Sequence, residues 1–309
     1  MKTLVIGAGA VGGYFGARLS AAGRDVTFLV RGARAEQLRR TGLHVTSPHG
    51  DLSVQPKLLL TSEISSPFDL ILISTKSYQL QAAMDDFAPA VGALSLGGQT
   101  AILPLLNGMA HLDALIARFG EGPVLGGSTR IVADVDTEGV MHSMEALHDI
   151  RFGERDKSVT PRVQAIEAHL SNAGFDAILA PDILAAMWQK WTFLAALGAI
   201  TCTLRGSIGQ VMAAPGGPET ARAILAETVA IATANGYPTP APFLENTTTR
   251  LSKPGSTLTA SMYRDMMRGA PVEADQILGD MLARGHAHGV DAPLLRAAYA
   301  QLSIYSAGL

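Results

Sequence analysis

A single cysteine, Cys202, in 309 residues excludes an internal disulfide framework and any cysteine-rich metal site. It reads as a small apolar core residue. An excess of one sign of charge is also missing. Lys and Arg number 24 against 27 Asp and Glu, interspersed along the chain for a formal net charge of −3, which excludes the basic footprint of a nucleic-acid binder. No basic segment leads into an apolar stretch and cleavage site ahead of the first apolar run, so the chain is expected to carry no leader and to be cytoplasmic. Internal repeats and low-complexity tracts are lacking too. His286 and His288 have no third ligand at a recognisable spacing, so no metal is expected.

What is present is apolar sequence in ordered blocks. Hydrophobic residues make up 48% of a chain longer than a single core usually supports, so two domains are expected, at 1–180 and 181–309. Near the start, the apolar run from Thr3 to Ile6 enters Gly7-Ala8-Gly9-Ala10-Val11-Gly12, and a second apolar run, Val26 to Val30, ends on Arg31. Gly7 suits the tight turn, Gly9 lets backbone approach a pyrophosphate, and Gly12 lets the following helix pack closely on the strand. Free N–H groups at the start of that helix then favour the phosphates. Where an NAD-binding unit usually carries Asp or Glu, this chain has Arg31, with Arg34 close behind, and a guanidinium suits a 2'-phosphate. The expected coenzyme is therefore NADP(H).

Strand and helix patterns alternate through the first half. Leu58 to Leu60, Leu70 to Lys76, and Thr100 to Leu106 read as strands, with helices over Gln79 to Phe87 and His111 to Phe119. Edge strands are expected at Val124 to Ala133, around Val140 and at Ile150 to Gly153, then a helix over Val163 to Ala173 and a short strand at Ala177 to Leu179. Beyond Pro181 only helices are expected: Ile183 to Leu204, a short one after Ser207, Glu219 to Asn235, Leu258 to Arg268, one starting near Pro271 and ending before Gly289, and Ala292 to Ser303. The fold class is α/β: an N-terminal Rossmann-type doubly wound sheet followed by an all-helical C-terminal domain.

Ile183 to Leu204 has nearly the length of a membrane span, but Lys190 falls near its middle and no cluster of positive anchors flanks it, so it reads as a buried helix of a soluble domain. A lysine that interrupts such a helix is costly unless its charge is used. Lys76 and Asn107 fall at the carboxyl ends of expected parallel strands, where ligands of open sheets bind. Glu273, just inside the helix expected from Pro271, is a carboxylate able to balance an ammonium.

Taken in order, the Gly7-to-Gly12 fingerprint, Arg31, Thr75-Lys76, Asn107-Gly108, Trp188-Gln189-Lys190, Ser261-Met262, Glu273-Ala274-Asp275 and His288-Gly289-Val290 resemble the ketopantoate (2-dehydropantoate) 2-reductases over nearly the whole chain. The resemblance implies NADPH-dependent reduction of a small 2-oxo acid, with ketopantoate reduced to pantoate on the way to pantothenate. It implies that Lys190 is the proton donor, with Glu273 beside it and closing over the coenzyme. It also implies that Lys76 contacts NADP, that Asn107 serves coenzyme and substrate, that Ser261 binds substrate, and that backbone near Val132 approaches the coenzyme. Hydride transfer leaves charge on the carbonyl oxygen, which a preplaced proton donor stabilises.

Three positions depart from the family pattern. Asparagines usual four and eight residues after the lysine are Leu194 and Gly198 here, and one usual three residues before the serine is Leu258. Each change removes an amide that would bond substrate. Two alternatives therefore stand beside ketopantoate reduction: a related NADP-dependent enzyme acting on a less polar carbonyl compound, and a non-catalytic NADP(H)-binding regulator. No nucleic-acid or membrane partner is expected, and a homodimer is left open.

Overall fold

The computed structural model describes residues 1–94 and 98–309. In chain order the strands and α-helices are β1 (Lys2–Ile6), α1 (Ala10–Ala21), β2 (Asp25–Leu29), α2 (Gly32–Thr41), β3 (Leu43–Thr46), β4 (Leu52–Val54), β5 (Lys57–Leu59), β6 (Leu70–Ile73), α3 (Leu80–Phe87), β7 (Ala101–Pro104), α4 (Ala110–Phe119), β8 (Gly126–Arg130), β9 (Ala133–Val135), β10 (Met141–Ser143), β11 (Asp149–Gly153), α5 (Pro161–Leu170) and β12 (Asp176–Leu179), followed by helices alone: α6 (Ile183–Leu204), α7 (Ile208–Ala213), α8 (Gly217–Ala234), α9 (Ala241–Leu251), α10 (Ser261–Met267), α11 (Asp280–Ala287) and α12 (Pro293–Ala307). They form two compact units. The first comprises Met1–Leu106 and His111–Leu184, the second Asn107–Ala110 and Ala185–Leu309.

The first unit is built on a parallel sheet in the order β5-β2-β1-β6-β7. All four residues of β6 and of β7 are buried, as strands covered on both faces require, and this explains their uninterrupted apolar sequence. The chain winds outward from β1 through β2, then returns to β6 on the other side, so the carboxyl end of β1 lies at the point where strand order reverses. Phe15, on α1, meets Phe175 edge to face with centroids 4.9 Å apart.

The strands after β7 do not extend this sheet as a doubly wound one. Val124 bridges Ile102 for one parallel pair, after which β8 pairs antiparallel with β11 in a separate sheet, β12-β11-β8. A third sheet, β4-β3-β10-β9, joins segments almost a hundred residues apart. Patterning shows neither α2 nor α9, nor β3 and β4. Only Ala35 and Leu38 of α2 are buried, so its polar sequence carries little periodicity, and α9 is rich in Thr, a weak helix former.

The second unit is helical throughout. Ser207 and Gln210 cap α7 reciprocally, Ser207 N–H donating to Gln210 Oε1 at 2.9 Å. Two helix starts next to candidate site residues differ from expectation. Helix α10 starts at Ser261 rather than Leu258, because the Leu258 N–H is taken by Ser256 Oγ and its carbonyl by the Ile208 N–H. The helix expected from Pro271 begins at Ala274 and passes through a π-helical turn, Asp275–Gly279, before α11, leaving Glu273 outside it. Its carbonyl accepts the Ile277 N–H at 3.1 Å.

Helix α6 is long and apolar enough to cross a membrane, yet 61% of its most apolar stretch is buried within the fold. Cys202 is fully buried on it, and burial pushes its thiol up to about 12. Trp188 stacks on Tyr237 at 5.3 Å between centroids and lies 4.8 Å from Trp191.

Candidate active site

In the first unit, β1 delivers the chain into Gly7, whose φ of +90° only glycine adopts without strain. A Cβ at Gly12 would collide with Ser74 Oγ and with the Gly7 carbonyl, so only glycine permits α1 to sit this close to β1 and β6. At Gly9 the opposite holds: a Cβ would meet nothing within 4 Å, and this exposed backbone heads α1 without a side-chain cap. The first backbone bond of the helix is Gly13 N–H to Gly9 O at 2.8 Å, ahead of which the amides of Ala10, Val11 and Gly12 have no intrahelical acceptor. Open space before a row of helix-start amides fits a pyrophosphate.

Beyond β6, Thr75 Oγ1 is buried with no hydrogen-bond partner among the described residues, a polar atom that a bound group would satisfy. Lys76 follows, half-buried, at the head of a short 3-10 turn. At the end of β2, Arg31 is exposed and donates from Nε and Nη2 to Asp86 Oδ2 at 2.8 and 2.6 Å. Arg34 is half-buried on the fingerprint: Nη2 donates to the Ala8 carbonyl at 3.0 Å and Nη1 to Gln37 Oε1 at 2.7 Å. Burial lowers the Arg34 pKa from its ordinary value. Val132 lies between β8 and β9, its carbonyl already accepting the Met144 N–H at 2.8 Å.

In the second unit, α6 organises the remaining residues. Lys190 is half-buried midway along it, with Leu194 and Gly198 following on the same face at four and eight residues. Contacts of this helix bring the segments of the candidate residues to it. The Trp191 indole N–H donates to the Ile277 carbonyl at 3.0 Å, tying the turn after Glu273 to the residue beside Lys190. Gly108, at φ +81°, packs so closely that a Cβ would lie 2.6 Å from the Gln276 carbonyl oxygen and 3.8 Å from Trp191 Nε1, which brings Asn107 to the same place. The Met262 methyl lies 2.7 Å from where a Gly198 Cβ would stand, so the first turn of α10, with Ser261 exposed on it, abuts the Lys190 face. Asn107, Lys190, Ser261 and Glu273 thus belong to one unit, on segments that converge along α6.

Sequence patterning assigns no role to Asp86 or Trp191, because each works through a partner far away in sequence: 55 residues for Asp86 and 86 for Trp191. His286 and His288 are exposed, and no group of three His, Cys, Asp or Glu side chains among the described residues is arranged to hold a metal.

The family description "Ketopantoate reductase PanE/ApbA" matches residues 3–157 and its C-terminal counterpart residues 182–306. An oxidoreductase of Bacillus subtilis, YkpB, whose name gives it as uncharacterized, is 36% identical over 99% of both chains. A 2-dehydropantoate 2-reductase of Mesorhizobium japonicum is 26% identical over 90% of this chain and 89% of its own. The crystal structure of the 2-dehydropantoate 2-reductase of Geobacter metallireducens superposes with a TM-score of 0.87 at 27% identity, covering 98% of this chain and 99% of that one. With matches that span both units, the chain belongs to the ketopantoate reductase family of oxidoreductases.

Proposed function

We propose that this protein is a cytoplasmic enzyme that reduces a 2-oxo acid to the 2-hydroxy acid with NADPH, and that 2-dehydropantoate, giving pantoate, is its leading substrate. The observation that carries the reading is Lys190: a half-buried lysine carries the only formal charge in a 22-residue apolar helix, and the segments bearing Asn107, Ser261 and Glu273 pack along that same helix. Such a placement is expensive unless the charge is used.

Residues of the Gly7-to-Gly12 loop would hold the pyrophosphate through the α1 amides, Arg31 and Arg34 the ribose 2'-phosphate, and Lys76 and Thr75 the segment beyond it. When bound, the coenzyme supplies the hydride. Lys190 donates a proton to the carbonyl oxygen as that oxygen gains negative charge, and a positioned acid of this kind contributes about 10²- to 10⁴-fold. Glu273 orients the ammonium. Asn107 and Ser261 hydrogen-bond the oxygens of the substrate, and the Trp191 bond to Ile277 keeps the segment carrying Glu273 in register with the lysine.

A second reading has its own support. On the Lys190 face, Leu194 offers no hydrogen bond and the space beside Gly198 is taken by the Met262 methyl, so two consecutive turns are apolar. A 2-oxo acid with an apolar side chain suits that surface. Purified protein mixed with NADPH and a panel of 2-oxo acids decides the matter: consumption of reduced coenzyme with ketopantoate supports the first reading, and faster consumption with an apolar 2-oxo acid supports the second. Nucleotide binding with no consumption would overturn both.

A further inference from the structure

Two arginines follow β2, Arg31 just past its end and Arg34 on α2, and they are held in opposite ways. Arg31 is exposed and, among the described residues, tied only to Asp86. Arg34 is half-buried and anchored to the Ala8 carbonyl of the fingerprint and to Gln37. The hairpin joining β9 to β10 packs on it as well. Gln37 Nε2 donates to the Glu138 carbonyl at 3.0 Å, and a Cβ at Gly139 would lie 2.6 Å from Arg34 Nη1. The guanidinium of Arg34 therefore needs little ordering to meet an anion, and three of its five N–H donors remain for one.

Asp86 stands in the last turn of α3, where the helix dipole disfavours a carboxylate, and Asp85 beside it adds a second negative charge. The helix gains nothing from an acid there. Arg31 is what makes the position tolerable, and its Nε and Nη2, the pair that would grip a phosphate side-on, are both committed to one Asp86 oxygen.

Building on the NADPH reading, we infer that Arg34 is the principal determinant of preference for a 2'-phosphorylated nucleotide, and that Asp86 competes with that phosphate for Arg31. Binding of NADPH exchanges the carboxylate on Arg31 for phosphate and leaves Asp86 beside a second anion. Binding of NADH leaves the Arg31–Asp86 pair intact. Asp86 thus weakens binding of the phosphorylated nucleotide alone and narrows the preference that Arg34 establishes.

The test is calorimetric titration of the full chain with NADPH and NADH, and with adenosine 2',5'-bisphosphate and 5'-AMP as fragments, so the readout is a dissociation constant and not turnover. For Arg34→Gln the expected result is a loss of at least about tenfold in affinity for the 2'-phosphorylated ligands, with NADH and 5'-AMP within about twofold. Arg31→Gln loses less, about threefold, because its gain on binding is offset by its release from Asp86. Asp86→Asn tightens NADPH about three- to tenfold and leaves NADH unchanged. Several results would overturn the inference: an unchanged NADPH-to-NADH ratio in Arg34→Gln, an equal loss of both nucleotides in that variant, or NADPH affinity in Asp86→Asn that is unchanged or weaker. Equal affinity of the native protein for NADPH and NADH would instead overturn the coenzyme reading and the inference with it.

Discussion

Gly108 and Gln276 are in backbone contact: a Cβ on Gly108 would stand 2.6 Å from the Gln276 carbonyl oxygen, and the glycine holds φ at +81°. This is where the Asn107 turn meets the π-helical turn that follows Glu273. Backbone on the receiving side cannot swing away as a flexible side chain would, and the dihedral is itself unfavourable to any residue with a Cβ. π-helical turns are uncommon and are often kept where a site needs them. Gly108→Ala is expected to destabilise the fold by about 2–4 kcal/mol and to lower kcat through displacement of Asn107. Urea unfolding of the two proteins measures the first effect, and a stability within about 0.5 kcal/mol of native would contradict it.

His169 gives the protein an acid-sensitive contact. Its Nε2 is 2.8 Å from Thr3 Oγ1, and burial, reinforced by the positive chain terminus and Arg24, pushes its pKa down to about 4. The fold thus favours the neutral ring. Between the ordinary value of 6.5 and about 4 the unfolded chain binds a proton that the folded protein refuses, so stability falls as pH falls through that window and is untouched above it. Full shielding would make the effect larger, but the ring is only half-shielded, and a loss of about 1–2 kcal/mol is expected. Urea midpoints at pH 7 and pH 4.5 test this in the native protein and in His169→Gln, which should lose less on acidification. Equal losses in both would remove His169 from the account.

Glu154 is a buried carboxylate whose burial alone would raise its pKa, but Arg162 and Thr160 reverse the direction and hold it below the usual carboxylate range. Arg162 donates from Nε and Nη2 to its two oxygens at 2.7 and 2.5 Å. Glu154→Gln keeps the shape and removes the charge that Arg162 needs, so a loss of about 1–3 kcal/mol is expected in chemical unfolding at neutral pH. The difference should shrink as pH falls below the ordinary value of 4.5, where the carboxyl of the unfolded chain takes up a proton that the folded protein accepts only at lower pH.

Leu194 tests the substrate reading. It is half-buried one turn beyond Lys190, so Leu194→Asn places an amide on the lysine face. Expected is a shift of about tenfold in relative kcat/KM toward a hydroxylated 2-oxo acid over its deoxygenated analogue. An unchanged ratio would show that this face does not meet the substrate side chain.

Much of this architecture is visible in local sequence, and the part that is not has a common cause. The apolar blocks of β1, β6 and β7 announce a buried parallel sheet because both of their faces are covered, and the glycine spacing after β1 is dictated by contacts within a single βα turn. Lys190 stands out because twenty-one uncharged neighbours surround it in its helix. By contrast, α2 and α9 bury too little to leave a periodic trace. The separate sheet β4-β3-β10-β9 depends on pairings of high sequence separation, for which no local signal exists. The same holds for Asp86 with Arg31 and Ile277 with Trp191: each side chain is ordinary alone and acquires its role only from a distant partner. Glu273 was legible as a helix-start acid, but the π-helical turn that sets it outside the helix was not, since nothing in Asp275–Gly279 differs from ordinary helical sequence.

If Lys190 supplies the proton, its loss should be felt in kcat with the best 2-oxo acid and not in NADPH affinity, both measured in the native protein and in Lys190→Ala. Expected is a fall in kcat of about 10²- to 10⁴-fold with the NADPH dissociation constant within about twofold. Turnover retained within about threefold, at unchanged nucleotide affinity, would contradict it.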